Sequence, residues 1–145
     1  MYLSDGLQID SPAVVVPWLI SEDALQQLLP DSSLRRVTTG YYTLRARVWG
    51  GIELVVGFHF DPRRGGSLRE FEIFRPNPDE MTDQESYREL QDVLETRLGP
   101  PTESVGETGN YPSAAWYDSE YSVRHLVQNR FGDEEILRIK TSRAA

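Results

Sequence analysis

The stretch GFHFDPRRGG, Gly57 to Gly66, gathers residue types that do chemistry: a His and an Asp two positions apart, then two Arg and two Gly. On a strand, positions i and i+2 share a face, so His59 and Asp61 point the same way. A metal would need one or two more ligands converging there. Glu53 on the same strand, or Glu70 and Glu72 on a neighbouring one, are the candidates. The competing reading, which the spacing favours, is a solvated face on which Arg45 and Arg47 pair across strands with Glu53, Glu70 or Glu72. A phosphate cradle fails on context, because a P-loop runs from a strand through a longer Gly loop into a helix and here a strand follows. The segment therefore reads as a turn that displays Arg63 and Arg64 at its tip, where they would grip an acidic partner.

The second histidine, His125, alternates with Tyr121, Val123 and Val127 and is expected on the apolar face as a hydrogen-bonded core residue. The chain has no cysteine, which removes thiolate chemistry and Cys-based zinc sites. It also lacks a G-x-S-x-G nucleophile elbow. No catalytic residue, cofactor or metal is predicted.

Charge carries the stronger signal. The 145 residues have a formal net charge of −8. Between Pro76 and Tyr111 stand nine acids and two bases, so that quarter holds seven of the eight net negative charges. Glu85, Glu89 and Asp92 centre one face of a helix there, and such a field steers a basic partner. An acidic surface speaks against nucleic acid as partner, since phosphate binding wants a basic one. The longest apolar run, Ala13–Ile20, is interrupted by Pro17 and too short for a membrane helix. With no apolar leader at the N-terminus, a cytoplasmic protein is expected.

The elements that position these residues follow from periodicity. Ser21 caps a short helix, SEDALQQLL, with Ile20 and Leu25 as a hydrophobic staple, Leu25, Leu28 and Leu29 as its buried stripe and Pro30 as its stop. Period-two alternation marks strands in YYTLRARVW, IELVVGFHF and SLREFEIFR, with Gly50–Gly51 as a two-residue turn between the first two. Trp49, Val55 and Phe74 fall on the otherwise charged face, either as an apolar binding patch or hidden by the AVVVPWLI segment. Thr82 and Glu85 form a capping box for a longer helix carrying Tyr87, Leu90, Leu94 and Leu98, and Gly99-Pro100-Pro101 ends it. Three more strands are expected near 114–117, 121–129 and 135–141.

The prediction is one α+β domain over residues 1–145, with residues 1–12 an arm or edge strand. Its two layers are an antiparallel sheet of about six strands in meanders and two helices packed on one face. The order of elements suggests two α-plus-meander halves without a residue-level repeat.

The string LETRLGPPTE resembles the helix end and following turn of small bacterial helix-plus-meander domains, such as the outer-membrane assembly lipoproteins. The chain lacks their signal and lipid-bearing Cys, so the resemblance carries a local shape and not a function. As an acidic, cysteine-free α+β chain, it also resembles the immunity proteins of bacterial toxin systems. That resemblance implies a non-enzymatic inhibitor that sets acidic residues against a toxin's basic cleft. Glu85, Glu89 and Asp92 are then the electrostatic contacts, with Tyr111 and Trp116 as aromatic anchors. The alternative is a small-ligand or metal-binding protein, or an enzyme, using the His59/Asp61 face. A third reading is a regulatory module that self-associates through its sheet edge.

Overall fold

A computed structural model describes residues 3–29, 33–64, 66–106 and 109–143. Pro30, Gly65 and Glu107 lie outside the described residues. The architecture is α+β with two helices, and the main antiparallel sheet has eight strands, not six, plus a separate two-stranded hairpin.

The chain opens with β1 (Gly6–Ile9) and β2 (Val14–Pro17), which pair with each other. Residues 6–9, expected in an arm or edge strand, thus form half of a hairpin that buries Leu7, Ile9 and Val16 against the core. Helix α1 (Glu22–Leu28) follows, its Ser21 cap accepting from the Ala24 N–H. Leu25 and Leu29 are buried as expected, but Leu28 is exposed.

The meander β3 (Arg35–Thr38), β4 (Tyr41–Val48), β5 (Ile52–Asp61) and β6 (Ser67–Phe74) comes next. Alternation sends Tyr42, Leu44, Ala46, Val48, Leu54, Val56, Phe58 and Phe60 inward. The β4–β5 turn takes three residues, Trp49 to Gly51, because Val48 pairs with Ile52. Trp49 has φ 51° in that turn and packs against the core, so it leaves the outer face that strand alternation assigned to it. Asp10 accepts from the N–H groups of Gly50 and Gly51 at 2.9 and 3.3 Å, tying the hairpin to the turn.

Helix α2 (Asp83–Leu98) has the capping box in full, with Thr82 and Glu85 exchanging side-chain-to-backbone bonds, and Gly99 ends it at φ 81°. A second four-stranded run follows: β7 (Glu103–Val105), β8 (Ser113–Tyr117), β9 (Tyr121–Asn129) and β10 (Asp133–Thr141). The strand order is β3-β4-β5-β6-β10-β9-β8-β7, so each half contributes a helix and four strands, and the two last strands join antiparallel at the centre. The hairpin, α1 and α2 cover one face: Gln26 of α1 bonds the inward Tyr42, and Leu90 and Leu94 of α2 belong to the same core as Val123, Leu137 and Ile139. The AVVVPWLI segment lies on this covered side, with Val16 and Trp18 in the core. Among the described residues nothing covers the other face, where Val55 pairs with Phe74. No described helix is long and apolar enough to cross a membrane.

Candidate functional site

The open face places His59 beside Glu70 and, diagonally, Glu72. His59 Nε2 lies 3.1 Å from Glu72 Oε1, and the ring stacks on Tyr41 at 4.4 Å. The Tyr41 hydroxyl donates to the same carboxylate at 3.3 Å. Arg138 reaches across from β10 to Glu70 and Glu72 at 2.9 and 3.1 Å, and Lys140 to Glu70 at 3.3 Å. The His59 hydrogen bond, helped by Arg138, holds the Glu72 carboxyl below its ordinary value against the opposing effect of burial. Gly57 makes room for this, since a Cβ there would stand 2.9 Å from the Tyr41 ring.

Asp61 is not part of the group. One of its carboxylate oxygens accepts from the Arg63 N–H at 2.9 Å, closing the turn. No set of three or more His, Asp or Glu side chains is arranged to hold a metal among the described residues. Of the expected arginine pairs, Arg45 meets Glu53 at 2.7 Å and Arg47 at 4.0 Å. Glu70 and Glu72 are engaged instead by β10. The two histidines do not converge, because His125 faces inward and His59 outward.

His125 is fully buried with its ring stacked on Tyr87 at 4.1 Å. Its Nε2 lies 2.6 Å from Glu135 and its Nδ1 2.7 Å from Gln91. Glu135 also accepts from the Ser86 hydroxyl, whose oxygen accepts from Arg75 Nε at 2.8 Å. Arg75 continues to Glu89 at 2.7 Å. This network lies under a groove of about 500 Å³ that opens where β6 ends and β10 runs on past it. Sequence reasoning placed His125 in the core but could not supply its partners, which are 10 and 34 residues away.

The proposed contact residues fall into separate places. Glu85, Glu89 and Asp92 are exposed on α2. Hydrogen bonds with Thr82 engage the Glu85 carboxyl and hold its pKa down, while Glu89 faces Arg75. Tyr111 is half exposed and donates to Asp133 at 3.0 Å. Trp116 is a correction: at 5% exposure it faces the core, its indole N–H donating to Gly99 O at the end of α2, so it presents no surface to a partner. Arg63 is exposed beside the β5–β6 turn, at the opposite end of the strands from Tyr111 and Asp133. Arg64 belongs to the same single 3-10 turn.

Missed by sequence reasoning is Phe131, 99% exposed at the tip of the β9–β10 hairpin. The base of that tip is braced at Asp133. Gln84 of α2 donates to it at 2.7 Å, Tyr111 at 3.0 Å and Asn129 at 3.2 Å, which together hold its carboxyl below the ordinary value. The available signal was an aromatic in a turn, FGDEE, where polar residues are the rule.

No protein-family model matches the chain, and comparisons with curated proteins and with solved structures give no significant match.

Proposed function

We propose that the chain is a non-enzymatic protein-binding module, an immunity-type inhibitor that meets a basic partner domain through the first turns of α2 and the adjoining β9–β10 tip. The observation that carries this reading is the tie between Phe131's tip and α2. Asp133 is bonded to Gln84, so the hairpin that carries the fully exposed Phe131 is tied to the first turn of α2, the helix that bears the exposed acids Glu85, Glu89 and Asp92. An apolar anchor with a charged margin is the usual composition of a binding hot spot and its rim. Acids on the rim raise the on-rate toward a basic surface. Tyr111, pinned to the same Asp133, extends the anchor. Arg63 and Arg64 stand too far along the strands to join this contact and would serve only a second one.

The test begins with a partner co-purified from the source cell, or the product of an adjacent toxin-like reading frame, titrated by calorimetry at low and high salt. Glu85→Gln with Glu89→Lys and Asp92→Lys removes the acidic face while keeping a residue competent for the capping box. Binding at least tenfold weaker, with a shallower salt dependence, is expected. Unchanged affinity in that variant would overturn the electrostatic contact.

A further inference from the structure

The uncovered face of the sheet carries its side chains in an ordered pattern of charge and apolarity. Three rows of side chains run across the strands at fixed levels. In the first, Tyr41, His59, Glu70, Lys140, Ser122 and Tyr117 stand side by side. The second contains Arg35, Gly57, Glu72, Arg138, Arg124 and Glu103. The third is mainly apolar at its centre: Val55 and Phe74 on one side of the β6–β10 junction, Ile136 and Leu126 on the other.

We propose that the chain forms a homodimer through this face, with a two-fold axis parallel to the strands and passing over the β6–β10 junction. Such an axis exchanges β6 with β10, β5 with β9 and β3 with β7, and it keeps each row at its own level. An isologous interface needs residue i to meet j and j to meet i. Here Phe74 meets Ile136 and Val55 meets Leu126, apolar on apolar. Glu72 meets Arg138 and Glu70 meets Lys140, acid on base. At the margins Arg35 meets Glu103. A two-fold axis across the strands would instead set β6 over β6 and β10 over β10, stacking acids on acids and bases on bases. The charge pattern therefore selects one orientation.

The occupant follows from charge. The stretch from Pro76 to Tyr111 holds seven of the eight net negative charges, so two copies repel unless they meet through a balanced surface. The sheet face is one, with its central acids and bases already paired within each chain. Glu70, Glu72, Arg138 and Lys140 keep these partners when the face is covered, which avoids the cost of unpaired buried ions at its centre. Eight strands by three rows span roughly 38 by 17 Å, on the order of 650 Å², near the roughly 800 Å² per partner of a standard interface. The helix layer lies on the other side and stays free, so this dimer is independent of the function proposed above.

Sedimentation velocity over a concentration series up to about 100 µM should show the 16.6 kDa chain moving toward twice its mass. Phe74→Lys and Ile136→Lys should each abolish the shift while leaving the circular dichroism spectrum intact. Because Lys lowers the net negative charge, the loss cannot come from added overall repulsion. The cysteine-free chain allows an orientation test: Val55→Cys protein mixed with Leu126→Cys protein should oxidise to the mixed dimer in preference to either homodimer. A chain that remains monomeric throughout overturns the proposal. So does a dimer that survives both Lys variants, or a crosslink dominated by Val55→Cys homodimers.

Discussion

His125 Nε2 lies 2.6 Å from Glu135 Oε2, its ring fully buried between α2 and the sheet. Two effects compete on this imidazole. Burial lowers its pKa and is the largest, Glu135 raises it, and Arg75 adds to the lowering. Burial wins because the ring has no solvent at all, whereas the Glu135 carboxylate is shared with Ser86. With the ring neutral, Nε2–H donates to Glu135, and Nδ1, which faces Gln91 Oε1 at 2.7 Å, is an acceptor that only the flipped Gln91 amide would satisfy.

This linkage predicts a pH profile. The unfolded His binds a proton near pH 6.5, while the folded one resists until lower pH. Between those two values the unfolded state holds more protons, so stability falls as the pH drops, and above that window both states are neutral and the term is flat. Urea midpoints should hold steady from about pH 8 to 7 and decline below about 6.5, by at most about 1.4 kcal/mol per pH unit for one proton. Carboxylates with lowered pKa values, such as Glu72, lose their contribution only further down, near and below about pH 4. His125→Gln should flatten the upper limb, and a wild-type profile already flat between about pH 7 and 5.5 would contradict the assignment.

Gly6 predicts a sharper loss. Its φ is +129°, and a Cβ there would lie 2.1 Å from the Val16 carbonyl oxygen, a backbone atom that cannot step aside. Gly6→Ala should separate β1 from β2 and uncover Leu7, Ile9 and Val16. Destabilisation above roughly 3 kcal/mol is expected from the combined strain and lost burial. Chemical denaturation measures it, and a loss under about 1 kcal/mol would mean that the hairpin is only an accessory to the core.

Legibility from sequence tracked burial. Strands β4, β5, β6, β9 and β10 each bury one face, so alternation marked them, and α2 carried both caps and a stripe. Strands β3 and β7 are four and three residues long and exposed throughout, which leaves no alternation to read. The hairpin was hidden for the opposite reason: VVVP is uniformly apolar and GLQI short, and their pairing is a tertiary fact. Trp49 was misplaced because strand alternation was carried one residue into a turn, where a left-handed φ reverses the side chain. At the candidate contact surface, composition exposed the acids of α2. The brace from Gln84 to Asp133 spans 49 residues and could not be read from spacing.

Trp116 serves the core and the end of α2, not a partner surface. Its indole N–H closes the C-terminal carbonyl of Gly99 at 3.0 Å, fastening the end of α2 to β8. Trp116→Phe keeps an aromatic in the core but deletes that donor and part of the packed volume. A cost of about 1–3 kcal/mol is expected, seen as a lower denaturation midpoint with unchanged partner affinity in the folded protein. Affinity that fell with no change in stability would return Trp116 to the contact surface.

Phe131 should show the opposite pairing of effects. At 99% exposure it buries nothing in the free chain, and the tip is held by Asp133, Tyr111, Asn129 and Gln84 rather than by the ring. Phe131→Ala should therefore leave stability within about 0.5 kcal/mol and lower the affinity for the partner by tenfold or more, about 1.4 kcal/mol. Asp133→Ala should lower both the midpoint and the affinity, because it frees the tip from α2 while leaving Phe131 in place. If Phe131→Ala left binding untouched while Asp133→Ala abolished it, the brace would matter for the acidic face alone. The aromatic anchor would then drop out of the proposed contact.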